Sequence, residues 1–371
     1  MKDIIHITKR PERSALSSLG LIAAALALAV VAGGVFIALM GANPFEVYAT
    51  ILKGAFVGSK RNPLSAIQST VILFVPLLIV SLGLSLAFKM RFWNIGGEGQ
   101  MIFGAIFATF FALNYSHLPH IVLVILMFIA SIIGGGLWGL IPALFKVKWG
   151  VNETLFTLMM NYVALYTIEF LQAGPWQRTQ GFASVGSFEA NVRLAQVGGV
   201  HVGWILALLL TVLVAVYMSR AKQGYEIAVV GESQATARYA GMDVKKVVLR
   251  TMFISGAICG VAGMVQIAGT DYTLSTGLTG GVGFSGITVA WLAKLNPFAV
   301  AVIAALFSIL EKGSKTIPVD VMSSEASRVL QGILLFVFLG AEFFRCYAIK
   351  LRLPPKKSAS AAQEGEEQTD G

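Results

Sequence analysis

Arg220–Val247 reads RAKQGYEIAVVGESQATARYAGMDVKKV, about 28 residues set between long apolar runs. It is basic at both ends and carries helix-forming Ala and Gln in its middle. The 371-residue chain around it is 56% hydrophobic and only 13% charged, against about 25% charged in a soluble domain. Several stretches of about 20 residues carry almost no charge, enough to cross a ~30 Å hydrocarbon core as helix. The runs are continuous rather than alternating, which excludes an outer-membrane barrel. Backbone groups in lipid must then be satisfied within helices. The 39 glycines suit close helix packing. A bundle that keeps one long polar segment at its surface uses it to dock something.

Working outward from that segment, ten spans are expected: near 15–40, 67–88, 95–114, 121–145, 154–173, 202–219, 248–268, 278–293, 297–311 and 327–346. The fold class is an all-α polytopic membrane protein with both termini cytoplasmic and the Gly-rich eighth segment broken or re-entrant. Residues 1–14 form a cytoplasmic N-terminal segment, 15–349 the transmembrane domain with the docking loop 220–247, and 350–371 a disordered cytoplasmic tail. The run after Arg13 exceeds the 7–15 residues of a signal-peptide core, which favours an uncleaved first helix. Roughly 20 of the 28 Lys and Arg then fall inside, as the positive-inside rule requires. Within 276–330, Lys312, Lys315 and Arg328 fall outside. The net charge of +9 thus reflects topology, not nucleic acid. Six Trp lie mostly near expected span ends, as interface anchors. Cys259 and Cys346 show no metal or disulfide spacing and read as packing residues.

No G-x-x-x-x-G-K-[ST], H-E-x-x-H or G-x-S-x-G occurs. The chain is therefore expected to be no enzyme and to bind no cofactor, and any ATP is hydrolysed on another subunit. Three polar constellations interrupt the apolar runs. Asn94-Ile95-Gly96-Gly97-Glu98-Gly99-Gln100 enters the membrane with a carboxylate and three glycines. It is either a pathway element or a capped turn. Asn152 and Glu153 open a helix on which Glu153, Thr157 and Asn161 share one face, lining a cavity or bonding to a neighbouring helix. Gly280–Thr288, with Phe284, Ser285 and Thr288, carries four glycines that weaken a continuous helix. That is a broken-helix binding site or close packing. These residues, Asn94, Glu98, Gln100, Asn152, Glu153, Thr157, Asn161, Phe284, Ser285 and Thr288, are the candidate substrate pathway.

NIGGEGQ (94–100), VNETLFTLMMNY (151–162), GYEIAVVGESQATARYAGM (224–242), ISGAICGVAGMVQIAGT (254–270) and GVGFSGITVAWLAKLNP (281–297) come in a fixed order. Together they resemble the permease family of bacterial ABC importers for simple sugars, nucleosides and branched-chain amino acids, over about residues 65–345. The resemblance is closest to the nucleoside and simple-sugar branch. It implies a multi-pass protein of the bacterial inner membrane and partners of four kinds: a cytoplasmic ABC ATPase, a second homologous permease in a heterodimer, an extracytoplasmic binding protein or lipoprotein, and membrane lipid. It also implies that the polar loop carries the ATPase-coupling helix, at Gly224, Tyr225, Glu226, Gly231, Glu232, Ala235, Ala237, Ala240 and Gly241. Two positions depart from the family pattern: Ile227-Ala228, where an Arg is common, and Ala293, often Gly. Nucleoside import is the expected function, with simple-sugar import the alternative. The rivals are a secondary transporter, which needs no docking loop, and a membrane-embedded enzyme or signalling scaffold; for an enzyme no nucleophile–base pair is present.

Overall fold

Apolar periodicity and helix caps set the elements seen in the computed structural model, which describes residues 5–9, 27–28, 30–59, 62–179, 181–318, 329, 330, 332, 333, 336, 337, 340 and 347–351. The chain divides into two units, residues 1–45 with 320–371, and residues 46–319. In the first, β1 (Ile5–Lys9) pairs antiparallel with β4 (Tyr347–Leu351), Ile5 opposite Leu351, and α1 covers Val30–Leu39. The expected tail from 350 thus begins within a strand, and 352–371 lie outside the described residues, as does Cys346.

The second unit holds α2 (Pro44–Phe56, starting at the unit boundary), α3 (Ser65–Lys89), α4 (Gly97–Asn114), α5 (His120–Trp149), α6 (Glu153–Ala173) and α7 (Gly203–Arg220). Two short helices follow, α8 (Lys222–Glu232) and α9 (Gln234–Tyr239), then α10 (Val244–Gln266), α11 (Val282–Leu292) and α12 (Pro297–Ser314). A two-stranded hairpin, β2 (Gln196–Val197) with β3 (Val200–His201), precedes α7. Among the described residues six helices are long and apolar enough to cross a membrane: α3, α5, α6, α7, α12 and α10 with its extension to Asp271. The expected third and eighth spans are the helices α4 and α11, which fall outside those six. The second half of the expected first span holds α1, with 15–26 outside the described residues, and most of the tenth lies outside them too. α2 was not expected at all.

α10 is the axle of the second unit and packs against α3, α4 and α5. Its glycines make this possible. A Cβ on Gly260 would lie 2.3 Å from the Ser131 carbonyl and 2.9 Å from the Gly135 Cα, and one on Gly104 would lie 2.2 Å from the Gly260 Cα. Three helices therefore meet backbone to backbone, the close approach that small residues permit in membranes. α10 ends in a π-turn, Ile267–Asp271. Leu77, Leu78, Ile79, Leu82 and Leu84 of α3 fill the core beside it, each at most 2% exposed.

Candidate functional site: a buried polar turn and a coupling platform

The turn between α3 and α4 is a fully buried polar cluster. Asn94 is 0% exposed, Gln100 1% and Glu98 5%. Hydrocarbon charges several kcal/mol for each unsatisfied polar group, and here nearly every one is met. Asn94 accepts from the Gly96 N–H (3.0 Å) and the Gln100 side-chain amide (3.1 Å), and donates to the Gln100 carbonyl (3.2 Å) and Ser255 Oγ (3.4 Å). α6 supplies the outer clamp. The Asn161 side chain donates to the Ile95 carbonyl (2.9 Å) and accepts from the Gly99 N–H (2.9 Å), and Thr157 Oγ1 accepts from the Ile95 N–H (3.1 Å). The structure thus brings together Asn94, Gln100, Thr157 and Asn161 of the expected pathway, with Ser255 of α10 as a partner the sequence reading missed.

Glu98 points the other way, to α11. The start of α11 has Gly281 at its N-cap position and no side chain of its own to cap it. Glu98 takes that role from α4: its carboxylate accepts the Gly283 N–H at 2.8 Å. A carboxylate at a helix N-terminus is favoured by the exposed amides and the helix dipole. From that anchored start, Phe284, Ser285 and Thr288 lie on α11. Phe284 is exposed, and the other two are half-buried.

Asn152 and Glu153 stand apart from this cluster, at the start of α6. Asn152 caps that helix, accepting from the Thr154 and Leu155 N–H groups. Glu153 pairs with Lys146 at 2.7 Å. Of the Trp anchors, Trp93 and Trp291 stack on each other at 5.2 Å, at the end of the bundle where α3 and α11 finish.

The polar loop that opened the analysis is two helices on a small apolar core. Ile227, Val230 and Ala237 pack with Ala87, Met90, Phe92, Ala143, Val244, Val247, Val248 and Met252. Ile227, one of the two departures from the family pattern, is 1% exposed and faces this core. Ser233 separates the helices and caps α9, accepting from the Thr236 N–H at 3.2 Å. A Cβ on Gly231 would lie 2.1 Å from the Lys89 carbonyl, so α8 is pressed on the end of α3. Glu226 pairs with Arg250 of α10 at 2.7 Å, both part-buried. The expected coupling residues divide by face. Gly224, Glu226, Gly231 and Ala237 turn inward, while Tyr225, Glu232, Ala235, Ala240 and Gly241 are exposed. Tyr239, 97% exposed, belongs with the outward set. An aromatic ring in a polar run was the signal for it.

A sequence-family model described as branched-chain amino acid transport system / permease component matches residues 66–339. The chain belongs to this permease family. Relatives of this permease include the guanosine ABC transporter permease protein NupP of Bacillus subtilis, 31% identical over 84% of this chain and 91% of that one. The nucleoside ABC transporter permease protein NupB of Lactococcus lactis is 27% identical over 89% and 92%. The glucose ABC transporter permease protein TsgB13 of Haloferax volcanii is 28% identical over 86% and 87%. As a permease component it is the membrane subunit and not the ATPase.

Proposed function

We propose that this permease forms, with a second homologous permease, the translocation pathway of an importer for nucleosides in a bacterial inner membrane. A cytoplasmic ABC ATPase docks on the exposed face of α8 and α9, and an extracytoplasmic binding protein or lipoprotein delivers solute at the opposite end. Ten spans with both termini on the ATPase side complete the topology. The observation that carries the coupling role is the platform itself. It rests on its own core and is joined by Glu226–Arg250 to α10, the helix around which the bundle is built. Motion imposed on the platform therefore reaches the centre as a rigid-body shift.

The substrate class draws on the relatives named for guanosine and nucleosides and on the chemistry of α11. Phe284, Ser285 and Thr288 give an uncharged face with one aromatic ring and two hydroxyls, suited to a neutral base and its ribose. Asn94, Gln100, Thr157 and Asn161 spend their bonds on one another and on backbone, so they serve the pathway by holding its wall. Glu98 fixes the start of α11 beside it. The relative named for glucose supports simple sugar as the second reading.

The test is ATP-dependent uptake of purine and pyrimidine nucleosides, ribose and leucine in proteoliposomes holding the permease pair, ATPase and binding protein. Nucleoside uptake that stops when the ATPase is inactivated is the expected result. Uptake of ribose alone would replace the substrate, and uptake without the ATPase would remove the coupling role.

A further inference from the structure

Lys53 and Lys312 stand against the charge pattern of the chain. α3 runs from Ser65 to Lys89, and its Lys89 end abuts α8. Lys53 and Lys312 line a cavity beside Ser65, at the other end of that helix. Basic residues concentrate on the cytoplasmic side of membrane proteins, so unpaired lysines at the end away from the coupling platform require a reason.

The cavity supplies one. It has a volume of ≈ 420 Å³ and lies between α2, α3 and α12. Its wall includes Thr50, Ser59, Ser69 and Thr316 beside the two lysines, and no carboxylate lines it. Thr50, Ser69 and Thr316 donate their hydroxyl protons to backbone carbonyls, which leaves the two ammonium groups as the strong donors. Neither lysine has an ion-pair partner among the described residues. Glu311, the nearest acid in sequence to Lys312, pairs instead with Lys315 at 2.7 Å. In sequence, the basic pair Lys60-Arg61 directly follows Ser59. The surroundings are oily: Leu52, Phe56 and Val57 next to Lys53, Leu64 and Ile67 at the start of α3, and Leu306 on α12 are all at least 40% exposed.

A free anion would need the cations but not the apolar frame, and a neutral lipid would need the frame but not the cations. We propose that this cleft binds an anionic phospholipid, its phosphodiester held between Lys53 and Lys312 and its acyl chains laid along the exposed apolar side chains of α2 and α12. The attraction of two ammonium groups for a phosphodiester does not depend on the leaflet, and long lysine stems follow the apolar surface while the charged heads reach the headgroup layer. The site is separate from the solute pathway and from the coupling platform.

The experiment is native mass spectrometry of the purified complex after exchange into detergent with equimolar phosphatidylglycerol and phosphatidylcholine. Preferential retention of phosphatidylglycerol is expected. It should fall on the order of tenfold in K53Q/K312Q and stay unchanged in K315Q, whose lysine is already paired. Size-exclusion elution of each variant verifies the fold. Equal retention of both lipids, or undiminished phosphatidylglycerol in the double variant, would overturn the proposal. So would displacement of the lipid by millimolar inorganic phosphate, which would make this a free-anion site. Loss of binding-protein capture with lipid retention intact would make it a protein surface. None of these readouts involves solute uptake, so they stand or fall apart from the nucleoside assignment.

Discussion

α10 and the turn that leads into α11 are both glycine-rich, yet their glycines do opposite work. In α10, Gly256, Gly260 and Gly263 remove bulk so that neighbouring backbones can touch, and 78% of its most apolar stretch is buried. Before α11, Gly280 and Gly281 adopt φ of +54° and +86° with nothing near their missing Cβ. They turn the chain so that a short helix can start against Glu98. One set of glycines makes a fixed axle and the other makes a break. The same residue type therefore says nothing about mobility until its surroundings are known.

The largest expected effect lies on the axle. Gly260→Val puts a branched side chain where backbone atoms stand 2.3 Å from a Cβ. A cost of about 3 kcal/mol or more should appear as loss of monodisperse protein in fluorescence-detected size exclusion. Wild-type yield from this variant would end the description of α10 as a backbone-contact helix.

Next comes the link from axle to platform. Arg250→Met leaves the Glu226 carboxylate unpaired. The pair is partly exposed, so roughly 1–2 kcal/mol is at stake. The expected signature is ATPase activity that solute-loaded binding protein no longer stimulates. E226M/R250M should recover folding better than the single variant. Coupling that survives Arg250→Met would disconnect α10 from the platform.

Glu98→Gln tests the break. It keeps the shape and removes the charge that caps α11, for a cost of about 1–2 kcal/mol. Uptake should drop several-fold while the complex still assembles, and Glu98→Ala should drop it further. Unchanged uptake at normal expression would separate the start of α11 from transport.

A smaller effect belongs to the far end of α10, where the π-turn wraps His201. This imidazole, in the hairpin outside the spans, is 2% exposed, and neither ring nitrogen has a hydrogen-bond partner among the described residues. Burial pushes its pKa below the usual 6.5. The unfolded chain then binds the proton more readily than the folded one. Stability contributed by the neutral ring is complete above that usual value and is lost as pH falls through and below it. Thermal unfolding from pH 7.5 to 5 should show the decline, and His201→Phe should flatten it. An identical slope in that variant would assign the decline elsewhere. The smallest change is Thr288→Val on α11: within about 0.5 kcal/mol in stability, but several-fold weaker for nucleoside uptake. Equal uptake would take Thr288 off the solute face.

Much of this was legible because apolar runs of about 20 residues leave few alternatives. α3, α5, α6, α7, α10 and α12 fall within a few residues of their expected ranges. α2 was passed over since its 13 residues are too few to span a membrane, although Asn43 and Pro44 at its start and Val47, Ile51 and Ala55 at four-residue spacing mark a helix. The polar loop was read as one docking element. Ser233, a capping residue before Gln234, was the visible sign of two helices. For the buried turn no residue pattern chooses between pathway and structural roles. That choice depends on bonds across 62 residues to Asn161 and 185 residues to Gly283, which no local pattern encodes. Glu226–Arg250 was hidden for the same reason.

The shortness of α11 has a consequence for the height at which polar atoms stand. Eleven helical residues rise about 16 Å, roughly half of a ~30 Å hydrocarbon layer. Measured from its Trp291 end, the helix therefore stops midway, and the protein closes the cut at that height with its own charge: the Glu98 carboxylate, 5% exposed, meets the Gly283 amide where an unbroken span would have continued.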